Sequence, residues 1–302
     1  MKSKTIIPLL VFLIVALAAL ATTTGIFSSD GPGPYAYQSI RGETVTIYGK
    51  GVYKDMSAEV APQGIAQDCV TLCIGIPLLL ISLWMTKKGS RKGQYLLAGT
   101  LGYFLVTYLF YTVMGMYNQL FLVYVALMGA SFYGLILTLQ SFEVKGIDAA
   151  FKPAIPTTAT GGFLIFNAVA IGLLWLSIVV PPLLNGTIIP VQVEHYTTLI
   201  VQGLDLGILL PGAFICGVLW IKKRPLGYLL TPIYFIFLSV LMTALTAKVI
   251  AMAVLGYNVI PVIFIIPTFN LLTLISTATI LNHVIEPSAL TKKASYEKQG
   301  VA

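Results

Sequence analysis

Eight apolar stretches, each about 20 residues long, follow one another along the chain and constrain its fold more than any other feature. An α-helix rises about 1.5 Å per residue, so each stretch can cross the roughly 30 Å hydrocarbon core of a bilayer. The predicted spans are 6–27, 68–86, 95–116, 120–139, 159–183, 197–221, 228–256 and 261–284. Only 10% of the 302 residues are charged. The sequence therefore predicts an all-α polytopic membrane protein in contact with a lipid bilayer.

The positions of the basic residues explain the net charge of +7. Fourteen fall in the tails or in alternate loops, whereas Arg41, Lys50 and Lys54 fall in the opposite loops and Lys248 falls inside a span. The fourteen are Lys2, Lys4, Lys87, Lys88, Arg91, Lys92, Lys145, Lys152, Lys222, Lys223, Arg224, Lys292, Lys293 and Lys298. Such an excess marks cytoplasmic segments, so both termini are predicted in the cytoplasm. We attribute the charge to topology and anionic lipid, and expect no nucleic-acid binding.

The first span has a second interpretation, as a secretory signal. Two lysines precede its apolar run, and a small-residue cleavage site falls after Ala21. Cleavage would leave seven spans and an N-terminus outside the cell. The apolar run continues to Phe27, which favours an uncleaved anchor.

The three cysteines predict neither a disulfide framework nor a metal site. None lies in a predicted outer loop, which argues against disulfides. Cys69 and Cys73 share one face of the second span, but a metal would need further ligands, and the two histidines are predicted on opposite sides of the membrane. We interpret the cysteines as buried small residues and expect no metal or other cofactor.

Short motifs recur in the same order in the two halves of the chain. KTIIP opens the first span and KPAIP the fifth, while QGIAQD ending at Asp68 and QGLD ending at Asp205 open the second and sixth. A Trp with a basic cluster, then YLL, then YN follow in both halves. An alternative reading is that lipid demands similar composition of all membrane helices.

The recurring order predicts two parallel four-helix repeats. The first is residues 1–141, with the outer loop 28–67, and the second is residues 142–302, with the cytoplasmic tail 285–302. Each half contains an even number of spans, so both point the same way. The predicted pseudo-two-fold axis runs along the membrane normal.

Polar residues within the spans gather at one predicted depth. Counting 1.5 Å per residue places Asp68, Asp205, Lys248 and Asn270 about 24 to 30 Å from the cytoplasmic edge. Ionisable residues at such positions are costly and mark functional hypotheses. The candidate ligand-binding residues are Asp68, Asp205, Lys248, Asn270, Gln67, Gln202, Asn118 and Tyr111, and Tyr108 belongs to the same layer. Asp205 and Lys248 are natural partners; a neutralising ion pair or snorkelling to the headgroups is the alternative interpretation.

The loop 28–67 is the longest segment outside the predicted spans. In ETVTIYGKGVY, residues 43–53, apolar and polar residues alternate around Gly49-Lys50-Gly51, which predicts a β-hairpin with a short glycine turn. A lone hairpin is marginal in water. We therefore expect it to pack on the helix ends or on a partner, and to cap the polar layer.

This loop also carries a resemblance. IRGETVTIYGKGVYKD, together with QDCVTLCIGIPLLLISLW and YNQLFLVYV, resembles a family of uncharacterised bacterial integral membrane proteins with an RGxxVxIYGxGxY outer-loop motif. The motif residues are Arg41, Gly42, Tyr48, Gly49, Gly51 and Tyr53. The resemblance covers mainly the first half of the chain. It implies a bacterial or archaeal inner membrane and no particular activity.

Three classes of function remain for such a chain. The favoured one is a sensor or accessory component that binds a ligand or protein partner through an outward-facing polar vestibule. A small-molecule transporter would use the interface of the two halves. An intramembrane enzyme acting on a lipid-linked substrate would need Asp68 and Asp205 close together, and the chain has no phosphate loop, HExxH or GxSxG motif. Few polar residues lie in the inner half of the spans, which favours a one-sided vestibule over a transport path.

Overall fold

The computed structural model describes residues 3–287 and has the expected all-α membrane architecture. Eight helices in this range are long and apolar enough to span a membrane. They are Thr5–Phe27, Ala61–Lys87, Arg91–Val113, Phe121–Gln140, Thr157–Leu184, Ile200–Ile221, Pro225–Val254 and Val262–His283, called spans 1 to 8 below. Span 2 begins seven residues earlier than predicted. The chain is thus a multi-pass membrane protein.

Part of the predicted charge asymmetry falls outside the described residues. Lys2, Lys292, Lys293 and Lys298 lie there, together with residues 288–302 of the predicted tail. Glu286, where that tail begins, accepts hydrogen bonds from the Ser90 hydroxyl at 2.8 Å and from the first backbone N–H groups of span 3. A carboxylate at this position is stabilised by the positive end of the helix dipole.

Spans 2 and 6 are each interrupted by a π-helical segment. The segments are Thr71–Gly75 and Asp205–Leu209, and each ends two residues before a proline, Pro77 or Pro211. Proline has no N–H and its ring clashes with the carbonyl four residues back, so a regular α-helix cannot continue through it. The residue before each proline instead donates its N–H to the carbonyl five residues earlier.

The turns that follow these two spans are alike. Lys88 and Lys222 end their helices with φ/ψ of −80°/3° and −76°/2°. The next residue, Gly89 or Lys223, has a positive φ of 80° or 51°. Lys222 lies 134 positions after Lys88. The division into two repeats nevertheless stays a prediction.

Span 7 makes the main contact between the two predicted halves. It packs on spans 2 and 3 across the boundary, and on spans 6 and 8 within its own half. Gly99 of span 3 allows a close approach, because a Cβ there would lie 2.5 Å from the side chain of Ile236. Small residues at such contacts let membrane helices pack backbone to backbone. Span 7 therefore lies between the two spans that carry aspartates.

The loop between spans 1 and 2 contains a hairpin, but not where it was predicted. Strands β1 (Tyr35–Gln38) and β2 (Thr44–Ile47) pair antiparallel. The chain reverses over residues 39–43, so the predicted position of the paired strands is wrong. A second reversal does follow Gly49, but it forms an isolated antiparallel bridge, between Ile47 and Ser57, and no further strand. We call the side of the bundle that carries this loop the hairpin face.

The glycines that suggested the hairpin turn have another role. Gly33 donates its N–H to the carbonyl of Gly49 at 3.1 Å, and a Cβ on Gly49 would lie only 1.8 Å from the Gly33 oxygen. Gly51 begins a 3-10 turn, Gly51–Tyr53, and its N–H bonds to the carbonyl of Asp30 at 2.7 Å. The glycines thus pack the chain against residues 28–33, the segment that follows span 1.

The cysteine expectation is wrong for two of the three residues. Cys69 and Cys73 are exposed on the surface of span 2, whereas Cys216 is buried. A thiol facing lipid carries little penalty because the surrounding solvent is itself apolar.

Candidate ligand-binding site

Asp68 lies within span 2, roughly 10 Å from its hairpin-face end, and is 2% exposed. Its Oδ2 accepts a hydrogen bond from the Tyr53 hydroxyl at 2.5 Å, and the Tyr111 hydroxyl lies 3.1 Å from its Oδ1. Gly25 of span 1 packs directly on the carboxylate, since a Cβ there would lie 1.8 Å from Oδ2. Asp68 is therefore enclosed rather than open to a wide vestibule.

Tyr53 connects the outer loop to this carboxylate. Burial, followed by the nearby charge of Asp68, raises the pKa of Tyr53 well above its ordinary value of 10.0. The phenol therefore keeps its proton at neutral pH and donates a hydrogen bond to Asp68. The preceding residue, Val52, is fixed by a 2.9 Å bond from its N–H to the Ser28 side chain. This anchor holds Tyr53 over the carboxylate.

Gln67 faces span 3 and is 5% exposed. Its Nε2 donates to the hydroxyl of Tyr103 at 2.8 Å and lies 3.4 Å from the Thr107 hydroxyl. Thr71 is within 2.7 Å of the same tyrosine hydroxyl. The amide thus joins span 2 to span 3, and its hydrogen-bonding groups face protein rather than a cavity.

Asp205 is half-buried, roughly 8 Å from the hairpin-face end of span 6. Its Oδ2 accepts a hydrogen bond of 2.8 Å from the indole Nε1 of Trp175 in span 5. Gln202, one turn earlier on the same face, is also half-buried, and its amide forms no hydrogen bond within the described range 3–287. Asp205 is therefore much less enclosed than Asp68.

Lys248 is half-buried in span 7, roughly 9 Å from its hairpin-face end. Its ammonium group interacts electrostatically with both Asp68 and Asp205. Among residues 3–287 it nevertheless forms neither an ion pair nor a hydrogen bond. The contact expected between Asp205 and Lys248 is absent from this part of the chain.

The other candidate residues have mainly local partners. Asn270 accepts a hydrogen bond of 3.3 Å from the Thr243 hydroxyl of span 7. Asn118 accepts one of 2.9 Å from the N–H of Leu120, which fixes the turn before span 4. Tyr108 is fully buried, and its hydroxyl has no partner within the described residues.

Arg41 ties the hairpin to the loop between spans 5 and 6. Its guanidinium donates to the carbonyl of Tyr196 at 2.8 Å, to that of Thr197 at 3.3 Å and to that of Glu194 at 3.4 Å. Gly42, in the hairpin turn, has a φ of 85°, which favours glycine. The other motif residue, Tyr48, donates its N–H to the carbonyl of Met56 at 2.9 Å.

An open groove of about 350 Å³ lies on the hairpin face, between β2 and the loop before span 6. Its lining includes three carboxylates, Glu43, Glu59 and Glu194, and the exposed ring of Tyr257. Volumes of roughly 300 to 1,000 Å³ are typical of small-molecule sites. A smaller cavity of about 60 Å³ lies beside Tyr111 where spans 3 and 4 meet.

Four residues of the site were not predicted as site residues. Tyr53 was assigned only to the loop motif, and Gly25, Tyr103 and Trp175 were not singled out at all. Their roles depend on which helices and loops become neighbours. The one local signal is Gly25 itself, a small residue near the end of an apolar run.

No family model, curated protein or solved structure matches this chain. The fold and the site define a class: a multi-pass α-helical membrane protein with ionisable side chains inside three of its spans, all near the hairpin face. Intramembrane charges of this kind usually serve a function or pair with one another. Here Lys248 pairs with neither aspartate, which favours a function.

Proposed function

We propose that the protein is a sensor or accessory component of the cell membrane that binds a ligand or protein partner on its outer face. One observation carries the proposal: a single loop both borders the groove, through β2, and reaches the membrane interior, through the Tyr53 hydrogen bond to Asp68. A ligand that moves this loop changes the hydrogen bonding of a carboxylate in span 2. Binding outside is thereby reported inside the membrane.

This function requires the hairpin face to lie outside the cell and both termini in the cytoplasm. The basic residues at the opposite ends of the spans support that orientation. The resemblance of the loop motif supports a bacterial or archaeal inner membrane. The like turns after spans 2 and 6 support two repeats, residues 1–141 and 142–302, with span 7 at their boundary.

A transporter is the second candidate, and the π-helical segments favour it. Both lie in spans that carry an aspartate, and π-bulges are frequent at functional sites. Interrupted helices also form the substrate sites of many transporters. A solute would then cross at the boundary of the two halves, beside Lys248. The enzyme alternative gains no support, because Asp68 and Asp205 bond to different residues.

Cysteine accessibility tests the outer-face proposal. The three native cysteines are replaced by alanine, and Val45→Cys in the groove, Asp68→Cys and Lys88→Cys are made singly. Intact cells are then treated with a membrane-impermeant maleimide. We expect fast labelling of Val45→Cys, no labelling of Lys88→Cys until the cells are permeabilised, and slow labelling of Asp68→Cys that accelerates when Tyr53→Ala removes the ring that covers this position.

Two results would refute this proposal. Labelling of Lys88→Cys but not Val45→Cys in intact cells would put the hairpin face in the cytoplasm. An Asp68→Cys labelling rate that Tyr53→Ala leaves unchanged would show that the loop does not cover position 68. A solute that protects Val45→Cys can then be offered to proteoliposomes: accumulation inside identifies a transporter, and binding without uptake identifies a sensor.

A further inference from the structure

Asp205 and Lys248, on neighbouring spans, have side chains of opposite charge, yet they do not touch. Spans 6 and 7 pack directly, and the Tyr234 hydroxyl of span 7 donates to the Leu209 carbonyl of span 6 at 2.7 Å. Lys248 interacts electrostatically with Asp205 and, more strongly, with Asp68 of span 2. Because unlike charges attract strongly where the dielectric constant is low, a pair that stays apart leaves both members in need of other partners.

The hydrogen-bonding capacity of these side chains is largely unused. A lysine ammonium has three N–H donors, and those of Lys248 make no hydrogen bond within residues 3–287. The Asp205 carboxylate can accept about four bonds and receives one within the described residues, from Trp175. The amide of Gln202, which has no partner in the same part of the chain, lies one turn away on the same helix face as Asp205. Donors and acceptors are thus both present and unsatisfied.

The surroundings of Asp205 are open toward the bilayer. In the apolar windows of spans 5 and 6, which contribute Trp175 and Asp205, only 17% and 22% of the residues are buried, whereas the share in span 7, which contributes Lys248, is 50%. Asp205 and Lys248 lie roughly 8 and 9 Å inside the hairpin-face ends of their helices, which is within reach of lipid headgroups. A small polar group can therefore approach from the lipid side or from the hairpin face.

We propose that Asp205 and Lys248 bind a zwitterionic group, whose primary ammonium donates to the Asp205 carboxylate and whose anionic oxygens accept from the Lys248 ammonium. Each contact is a charge-assisted hydrogen bond, which is stronger than a hydrogen bond between neutral groups. Two sources share this chemistry: the headgroup of phosphatidylethanolamine and a free α-amino acid. This site is separate from the outer-face groove and does not depend on the function proposed for it.

The test uses the full chain in nanodiscs of phosphatidylcholine. Phosphatidylethanolamine is added to the discs in one series, and L-alanine is added to the buffer in the other. The melting temperature and the fluorescence of Trp175, assigned by a Trp175→Phe variant, are measured. Phosphatidylcholine is the matched lipid control, because its phosphate is the same and its quaternary ammonium has no N–H to donate.

The variants Asp205→Asn and Lys248→Met remove one charge each. Asp148→Asn and Lys223→Met remove the same charges from exposed positions on the opposite face and serve as controls. If either site variant fails to fold in phosphatidylcholine, Asp205→Glu and Lys248→Arg replace it, and these should weaken the titration at least several-fold.

We expect one series to raise the melting temperature by about 3 °C or more and to change Trp175 emission, as a ligand bound only to the folded state does. Both responses should vanish in the site variants and persist in the controls. A response to phosphatidylethanolamine identifies a lipid site, and a response to alanine identifies a solute site. No response in either series, or a response that survives both site variants, would overturn the proposal.

Discussion

Spans 2 and 6 share a backbone interruption but give their aspartates different surroundings. Each has a π-helical segment that ends two residues before a proline. Asp68 is enclosed by two tyrosine hydroxyls and a glycine of span 1, whereas Asp205 is half-buried with one indole donor. The difference comes from what covers each helix. A loop returns over span 2, and its tyrosine closes the site.

The largest expected effect is the loss of the enclosed carboxylate. Asp68→Ala removes the acceptor of the Tyr53 hydroxyl and a charge that balances Lys248, and should lower the free energy of unfolding by about 3 kcal/mol. Asp205→Ala, at the more open position, should lower it by about 1 kcal/mol. Thermal unfolding in detergent measures both. Equal losses would mean that the two aspartates are equally well embedded.

Steric contact gives the next largest difference between the two spans. Gly25→Ala places a methyl group against the Asp68 carboxylate and should destabilise the protein by about 2 kcal/mol. Gly203→Ala, in span 6, meets nothing within 4 Å among residues 3–287 and should stabilise the protein by about 0.5 kcal/mol through its helix propensity. The same unfolding assay compares them. A neutral Gly25→Ala would show that span 1 can move away from Asp68.

Tyr53→Phe isolates the contribution of the loop. It removes the hydrogen bond to Asp68 while keeping the ring, and should lower the free energy of unfolding by about 1.5 kcal/mol. Titration of the Tyr53 hydroxyl also makes the free energy of unfolding depend on pH. Because the pKa of Tyr53 is raised on folding, its stabilisation is complete below pH 10 and is lost as the pH rises further.

Alkaline unfolding curves of wild type and Tyr53→Phe check this pH dependence. Above pH 10 the wild type should lose up to about 1.4 kcal/mol per pH unit more than the variant, the slope for one proton. Parallel curves would show that the phenol titrates alike in the folded and unfolded chains.

The smallest effect belongs to the more open aspartate. Trp175→Phe removes the indole donor of Asp205 but keeps an aromatic ring, and should lower the free energy of unfolding by about 0.5 kcal/mol, since other donors can reach a half-buried carboxylate. Thermal unfolding with Trp84→Phe as the control, a tryptophan 57% exposed, measures it. A loss as large as that of Tyr53→Phe would place the two aspartates in equivalent environments.

The membrane spans could be predicted from the sequence because each depends only on its own run of apolar residues. A helix in lipid must satisfy its own backbone, so the length of an apolar run decides whether it can cross. Counting residues also predicted one depth for the aspartates and Lys248. Each lies roughly 8 to 10 Å inside the hairpin-face end of its own span, and the common depth stays a prediction.

The partners of these residues could not be read in the same way. The loop alternation suggested a hairpin turn at Gly49 and Gly51. The chain does turn back there, but these glycines also pack against residues 28–33, which follow span 1, and the paired strands lie earlier in the loop. Tyr53 precedes Asp68 by 15 positions, and it reaches the carboxylate only because the loop folds back onto span 2. Trp175 of span 5 reaches Asp205 on the neighbouring span 6, and the sequence around Trp175 does not indicate this contact.

The similar backbone turns after spans 2 and 6 are relevant to how the two halves of the chain are related in evolution. If both halves descend from one four-helix unit, a shift of 134 positions aligns the turns and also the two prolines. That shift pairs Asp68 with Gln202 and Asp205 with Thr71, not aspartate with aspartate. The two acids would then be separate acquisitions, one helical turn apart on duplicated helices, and each half would have gained its own chemistry after the duplication.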